Sequence, residues 1–321
     1  MREKSLAAAM AAATLSICAA SLLSVAPAAR GHGGAPHEVA KPESPPARAN
    51  RWGASYFPNV PLTTQDGKTV RFYDDLIKGR SVAINFIFTD CNEVCPLETA
   101  NLVQVHKELG SRAGKDVVFY SISIDPKRDT PEVLKAYAGK FGATWLFLTG
   151  KEEDIRLLGK KLGVLRERDA KAGSHHAAQL MLGDEPKGQW QRNSAVDSPP
   201  FLAARMGTFF GWRDTAPGKS YAEARPVVGH NGERLFQSKC SACHTLGQGD
   251  KVGPDLAGVT ARRDRAWLAR YISEPEALLA AGDPTAKALF YQYKQIRMPN
   301  LKLGSSDVAD IVSFLEGFSR P

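Results

Sequence analysis

The chain has 321 residues, 43% of them hydrophobic and 24% charged, with a net charge of +8. That length exceeds one ordinary domain, and the composition is that of packed globular protein rather than a disordered chain. Basic residues are interspersed with acids and cluster only at Arg262-Arg263-Asp264-Arg265, without the basic, aromatic-interleaved stripe that nucleic-acid binding requires; nucleic acid is therefore excluded as a partner, and docking on an acidic protein stays open.

Met1 to Ala29 reads as an export signal, with Arg2 and Lys4 ahead of an apolar run and small residues at Ala26-Pro27-Ala28-Ala29. An uncleaved membrane anchor competes, because the run is nearly long enough to span. Lipid attachment at Cys18 fits poorly, since bulky Ile17 precedes it and Cys18 lies inside the run. The expected location is periplasmic or exported, soluble or held to the membrane by the uncleaved signal. Residues 30–50, rich in Pro, Ala and Gly, read as a flexible tether. Cleavage after Ala29 would leave His32 third from the amino terminus, where it can hold Cu(II) in a square-planar nitrogen site; cleavage one residue earlier removes that option.

Val60 to Phe72 reads as a hairpin about the Gln65-Asp66-Gly67-Lys68 turn. Ala83 to Phe88 reads as a buried strand that breaks at Asp90-Cys91, with a helix from Pro96 onward. Strands follow at 117–124 and 145–148, and helices at 130–141 and 152–162. Two further strands at 178–182 and 189–196 turn at Gly188, and a helix at 200–210 closes the region. Strands alternating with helices and ending in a hairpin predict an α/β sandwich of thioredoxin type. Past a polar linker with Pro217-Gly218 the pattern becomes helical only: 232–240, 267–273, 285–293 and 306–318. The expected organisation is a signal at 1–29, a tether at 30–50, an α/β domain at 51–212, a linker at 213–226 and an all-α domain at 227–321.

Without Cys18, the cysteines are two close pairs, Cys91 with Cys95 and Cys240 with Cys243. Cys91 and Cys95 sit at a strand-to-helix junction, where free N–H groups and the helix dipole favour thiolate. If the turn is helical, the i, i+4 spacing puts both sulfurs on one face, able to meet one ion. A structural disulfide or two inert core thiols is the competing reading. Together with Ser121-Ile122-Ser123-Ile124-Asp125-Pro126-Lys127-Arg128-Asp129-Thr130-Pro131-Glu132 and Ser174-His175-His176-Ala177, the cysteine motif resembles the Sco/SenC family of copper-binding, thioredoxin-like proteins over roughly residues 50–212. The resemblance implies a third copper ligand at His176, aligned on the following Gly183-Asp184. The preceding position, commonly acidic in the family, is His175 here and stays a second candidate. Asp125 resembles the family acid near the copper, with helix or loop capping as its other reading. Copper(I) prefers soft thiolates, and an imidazole lets the same site hold Cu(II). A peroxiredoxin is excluded, because the Pro-x-x-x-Thr-x-x-Cys pattern is missing before Cys91. His106 falls on a helical face of exposed positions and is expected at the surface.

Cys240-Ser241-Ala242-Cys243-His244 is a covalent haem c attachment signature, the thiols adding across the vinyl groups and His244 lying beneath the iron. Met298, in Arg297-Met298-Pro299-Asn300-Leu301, is the expected second axial ligand. Residues 229–319 resemble class I cytochromes c, which implies that the Pro254 carbonyl orients His244. Filled axial positions argue for electron transfer.

The paired resemblances imply a metallochaperone and electron-transfer protein rather than a turnover enzyme. It is expected to help assemble the binuclear copper site of a haem–copper (cytochrome c) oxidase, with one-electron transfer between haem and copper. Its expected partners are the oxidase copper subunit or its assembly factors, and redox partner proteins. The alternatives are a thiol–disulfide oxidoreductase acting on a partner's copper-site cysteines, and a plain electron carrier.

Overall fold

The computed structural model describes residues 52–164, 178–212 and 230–318. The expected signal, tether and linker, and the segment with His175 and His176, lie outside these residues. The first lobe is built on one sheet: β1 (Pro61–Thr64), β2 (Thr69–Arg71), β3 (Ser81–Ile87), β4 (Val118–Ser123), β5 (Leu146–Gly150), β6 (Gln179–Asp184) and β7 (Gln189–Ser194), in the order β2-β1-β5-β4-β3-β6-β7. β3, β4 and β5 run parallel. Helix α1 (Cys95–Leu109) connects the first two and α2 (Pro131–Phe141) the next two, with α3 (Glu152–Lys161) after β5 and α4 (Pro199–Phe210) after β7. β1 and β6 join this parallel core antiparallel, and β2 and β7 complete the hairpins at its edges.

Period-two alternation divides the strands between two cores. Val82, Ile84 and Phe86 of β3 pack with Tyr120, Ile122 and Leu148 against Ile155 and Leu158 of α3. Ala83 and Ile87 lie in the other core with Phe119, Phe147, Leu180 and Leu182, against α1, α2 and α4. Both faces are covered, so the parallel strands read as continuous apolar runs. Helix α2 has clear end signals: Thr130 Oγ1 accepts from the Val133 N–H, Pro131 opens the first turn, and Gly142 closes it with φ 70°.

Two sequence expectations do not hold in the fold. His106 is half-buried rather than at the surface, its ring stacked on Trp145 at 5.7 Å and edge-on to Phe119 at 5.4 Å. The helical pattern alone could not show the aromatic ridge that the sheet presents to that face. Phe72, assigned to the hairpin, instead opens a π-helical turn, Phe72–Ile77, that buries Phe72, Tyr73, Leu76 and Ile77.

The second lobe is helical: α5 (Asn231–Leu235), α6 (Val259–Arg262), α7 (Arg265–Ser273), α8 (Pro275–Ala280), α9 (Pro284–Gln292) and α10 (Ser305–Gly317). The helix expected over 232–240 widens to a π-helical turn at Phe236–Cys240. α5 crosses α10 at Gly232, where a Cβ would stand 2.0 Å from the Asp310 carbonyl oxygen, so only glycine lets the backbones meet. Leu235, Phe236, Val259, Leu268, Ile311, Val312 and Leu315 form the core. Both lobes lie in one compact unit. Among the described residues no helix is long and apolar enough to cross a membrane.

Candidate functional site

β3 ends at Ile87, the chain loops over Phe88–Val94, and α1 begins at Cys95 with Pro96 in its first turn. Cys91 is therefore in the loop, not on the helix. The loop, rather than i, i+4 helical spacing, brings the two sulfurs together. Neither cysteine is in a disulfide and both are buried, Cys91 at 5% and Cys95 at 0% exposure. The Cys95 thiol donates to Cys91 and holds it down to about 6 against the cost of burial, helped by backbone N–H groups of residues 93–95. The same hydrogen bond, with burial, pushes Cys95 up. The pair is thus one thiolate beside one thiol, a soft donor set in a dry setting.

Behind it, Glu98 is fully buried, and burial followed by the nearby Cys91 charge drives its carboxyl well above the usual range. Buried Asp129 accepts from the Thr89 N–H at 3.1 Å and the Ser123 hydroxyl at 2.6 Å, tying the cysteine loop to the end of β4. Asp125 reaches the loop indirectly: its carboxylate lies 3.6 Å from Arg128, which also pairs with Asp90 beside Cys91. Cys91 and Cys95 are the expected copper ligands within the described residues. Neither His175 nor His176 falls there.

In the helical lobe, the widened turn ends at Cys240 and the turn after it carries Cys243, both free, to a cavity of about 360 Å³ lined also by His244, Met298, Tyr271 and Phe290. Burial keeps the His244 imidazole neutral. Its Nδ1–H donates to the Pro254 carbonyl at 2.8 Å, which fixes the tautomer and leaves the Nε2 lone pair free to ligate. Gly253 makes this approach possible, since a Cβ there would stand 2.6 Å from His244 Cε1. The loop is held by Asp255, whose carboxylate accepts from the N–H groups of Gly247 at 2.8 Å and Gly249 at 2.7 Å and is kept well below its usual range by them. Two free thiols, a neutral oriented imidazole and a thioether around one mainly apolar cavity fit a covalently attached haem with His/Met ligation. His230 is exposed at the start of α5.

The two sites adjoin. Pro96, next to Cys95, lines the helical lobe's cavity. The Asn300 N–H donates to the Asn92 carbonyl at 2.9 Å. Arg297 Nη1 donates to Asp90 at 2.9 Å and to Asn92 Oδ1 at 2.6 Å, and Lys302 lies 3.4 Å from Glu93. Ala242, between the haem-motif cysteines, is buried in the same apolar cluster as Cys91 and Cys95. The sequence reading missed Arg297, Asn300, Asp90 and Asn92. Their one signal was proximity to ligand positions in both motifs.

Residues 52–206 match the SCO1/SenC family model, and residues 230–319 match the cytochrome c model. The chain is 32% identical over 145 residues to an SCO2-like protein of Rickettsia felis, covering 43% of this chain and 69% of that one. It is 30% identical over 142 residues to the SCO1 protein homolog of Bacillus subtilis, covering 42% and 72%. Among solved structures, copper-bound ScoI of Bradyrhizobium japonicum is 28% identical with a TM-score of 0.39, covering 47% of this chain and 99% of that one.

Proposed function

Because the chain belongs to the SCO1/SenC family and carries a cytochrome c domain behind it, we propose that it is an exported copper-binding protein that helps assemble the copper site of a cytochrome c oxidase and exchanges single electrons between haem and copper. The observation that carries this reading is the direct contact between the loop of Cys91 and the loop of Met298. Copper is the cargo, held by Cys91, Cys95 and His176, with His175 as the neighbouring candidate. Cys240 and Cys243 would hold the haem through their sulfurs, His244 and Met298 would supply the ligands to its iron, and Pro254 orients His244. Bound there, the haem supplies a one-electron couple that His/Met ligation makes oxidising.

Against a dithiol lower by ~0.3 V, reduction of a disulfide by such a couple is uphill by roughly 14 kcal/mol for two electrons. Copper changes by one electron, and Cu(I) is the state the thiolates favour for hand-over. The test loads the reduced-haem protein with Cu(II) in a stopped-flow cell without external acceptors. Haem oxidation is expected at a rate independent of protein concentration, and absent in Cys91→Ser. A haem that stays ferrous with Cu(II) bound overturns the electron coupling.

A second reading, reduction of disulfides in a partner's copper-site cysteines, is favoured by the split acidity of the thiol pair, an attacking thiolate beside a buried resolving thiol. Metal content separates the two. A chaperone takes up about one copper per chain, whereas a reductase cycles without it.

A further inference from the structure

We propose that the loop carrying Met298 is a docking partner built for the loop carrying Cys91: it covers the thiol pair in the closed arrangement and must lift away before another protein can reach Cys91. Its use in electron exchange rests on the function proposed above; its existence does not.

The geometry is specific. Asn300 is 8% exposed, and its N–H and both ends of its side-chain amide are engaged. Its N–H donates to the Asn92 carbonyl at 2.9 Å, its Nδ2 to Glu276 at 2.7 Å, and its Oδ1 accepts from the Lys302 N–H at 3.0 Å. Lys302 holds φ 52°, a left-handed backbone uncommon outside glycine, which shapes the turn that aims Asn300 at Asn92. Asn92 follows Cys91 directly and Asn300 lies two residues past Met298, so one hydrogen bond joins the two loops next to their ligand positions.

Charge is complementary across the contact, Asp90 and Glu93 on the cysteine loop against Arg297 and Lys302 on the methionine loop. These pairs are partly solvated, so each is individually weak and the contact can open. Beneath them, Ala242 is buried, and Ile296 and Leu301 pack against the cluster containing Cys91 and Cys95. A chain that carries both loops keeps them at high effective concentration, so a small contact suffices.

The test uses the haem-loaded, copper-free, reduced full chain, in which the thioether bonds block Cys240 and Cys243. Iodoacetamide labelling of Cys91 is followed by mass spectrometry, with amide hydrogen exchange at Asn300 in parallel. Arg297→Glu sets a negative charge against Asp90 and is expected to speed labelling about tenfold and remove the Asn300 protection. The added negative charge disfavours thiolate, so a faster reaction reports opening rather than acidity. Arg297→Lys is expected to stay within about twofold of wild type, and so is Arg265→Glu, which breaks the ion pair with Glu316 outside the contact. Equal labelling and equal Asn300 exchange in wild type and Arg297→Glu overturn the docking. The labelling arm involves neither copper nor electron transfer. Intact shielding in a protein whose ferrous haem fails to reduce Cu(II) therefore refutes the electron coupling and leaves the docking standing.

Discussion

The Cys91/Cys95 pair follows a parallel strand, one cysteine in the loop and one opening a helix, buried and hydrogen-bonded to itself. The Cys240/Cys243 pair stands half-buried at the end of a widened helical turn and on the turn after it, lining a cavity. The first environment splits the acidity of the two thiols and holds a thiolate beside a thiol. The second presents two separate thiols to a space far larger than an ion, with an oriented imidazole beside them. Spacing differs by one residue, yet backbone setting decides what each pair can hold: a tight loop closes two sulfurs on one point, and the turn leaving a widened helix sets them along a cavity wall.

The largest expected effect breaks the second pair. Cys240→Ser with Cys243→Ser should abolish acid–acetone-resistant haem and unfold the helical lobe, seen as lost helical circular dichroism, because the cavity's apolar lining would have no occupant. Copper affinity of the first lobe should survive. Loss of copper binding as well would show that the sites are not separate. Met298→Ala should keep the haem and lose the weak near-infrared sulfur-to-iron band of the oxidised protein.

Next comes the first pair. Cys91→Ser should weaken Cu(I) binding, titrated against a strong chelator, by more than the roughly 10–100-fold that loss of a supporting contact costs. His176→Ala should also weaken it. Weakening by His175→Ala alone would move the imidazole ligand one residue.

Acidity gives a smaller effect with a defined sign. Cys91 titrates at about 6 in the folded protein against 9.0 ordinarily. A lowered folded value stabilises fully above the unfolded value, and that contribution is lost as pH falls through about 6. The urea midpoint of reduced, copper-free wild type relative to Cys91→Ser should therefore rise from pH 6 toward pH 9. A flat difference would mean that the thiolate is not stabilised by the fold.

The smallest effect is expected from Glu98→Gln. The buried carboxyl is kept neutral, so its isostere should leave the Cys91 labelling profile centred near 6. A marked downward shift would reveal a negative charge at Glu98 in the native protein.

Much of this architecture was readable along the chain because its causes are local or periodic. Val82, Ile84 and Phe86 alternate with Ala83 and Ile87, and a pleated strand has no other way to distribute them than to two faces. Thr130-Pro131 and Gly142 mark the ends of α2 through cap chemistry within one turn. The haem signature is five consecutive residues, and the order of the cysteine, aspartate and histidine motifs carries the family resemblance without any coordinates. What the tertiary structure alone decided is where distant surfaces meet. The half-burial of His106 needed the aromatic ridge of Trp145 and Phe119. The pairing of Cys91 with Cys95 needed a loop rather than a helix. The Arg297–Asp90 contact joins residues 207 positions apart, and the Asn300–Asn92 bond beside it is made by backbone alone. Every non-proline residue carries a backbone donor and acceptor, so such a bond leaves no mark in composition or spacing.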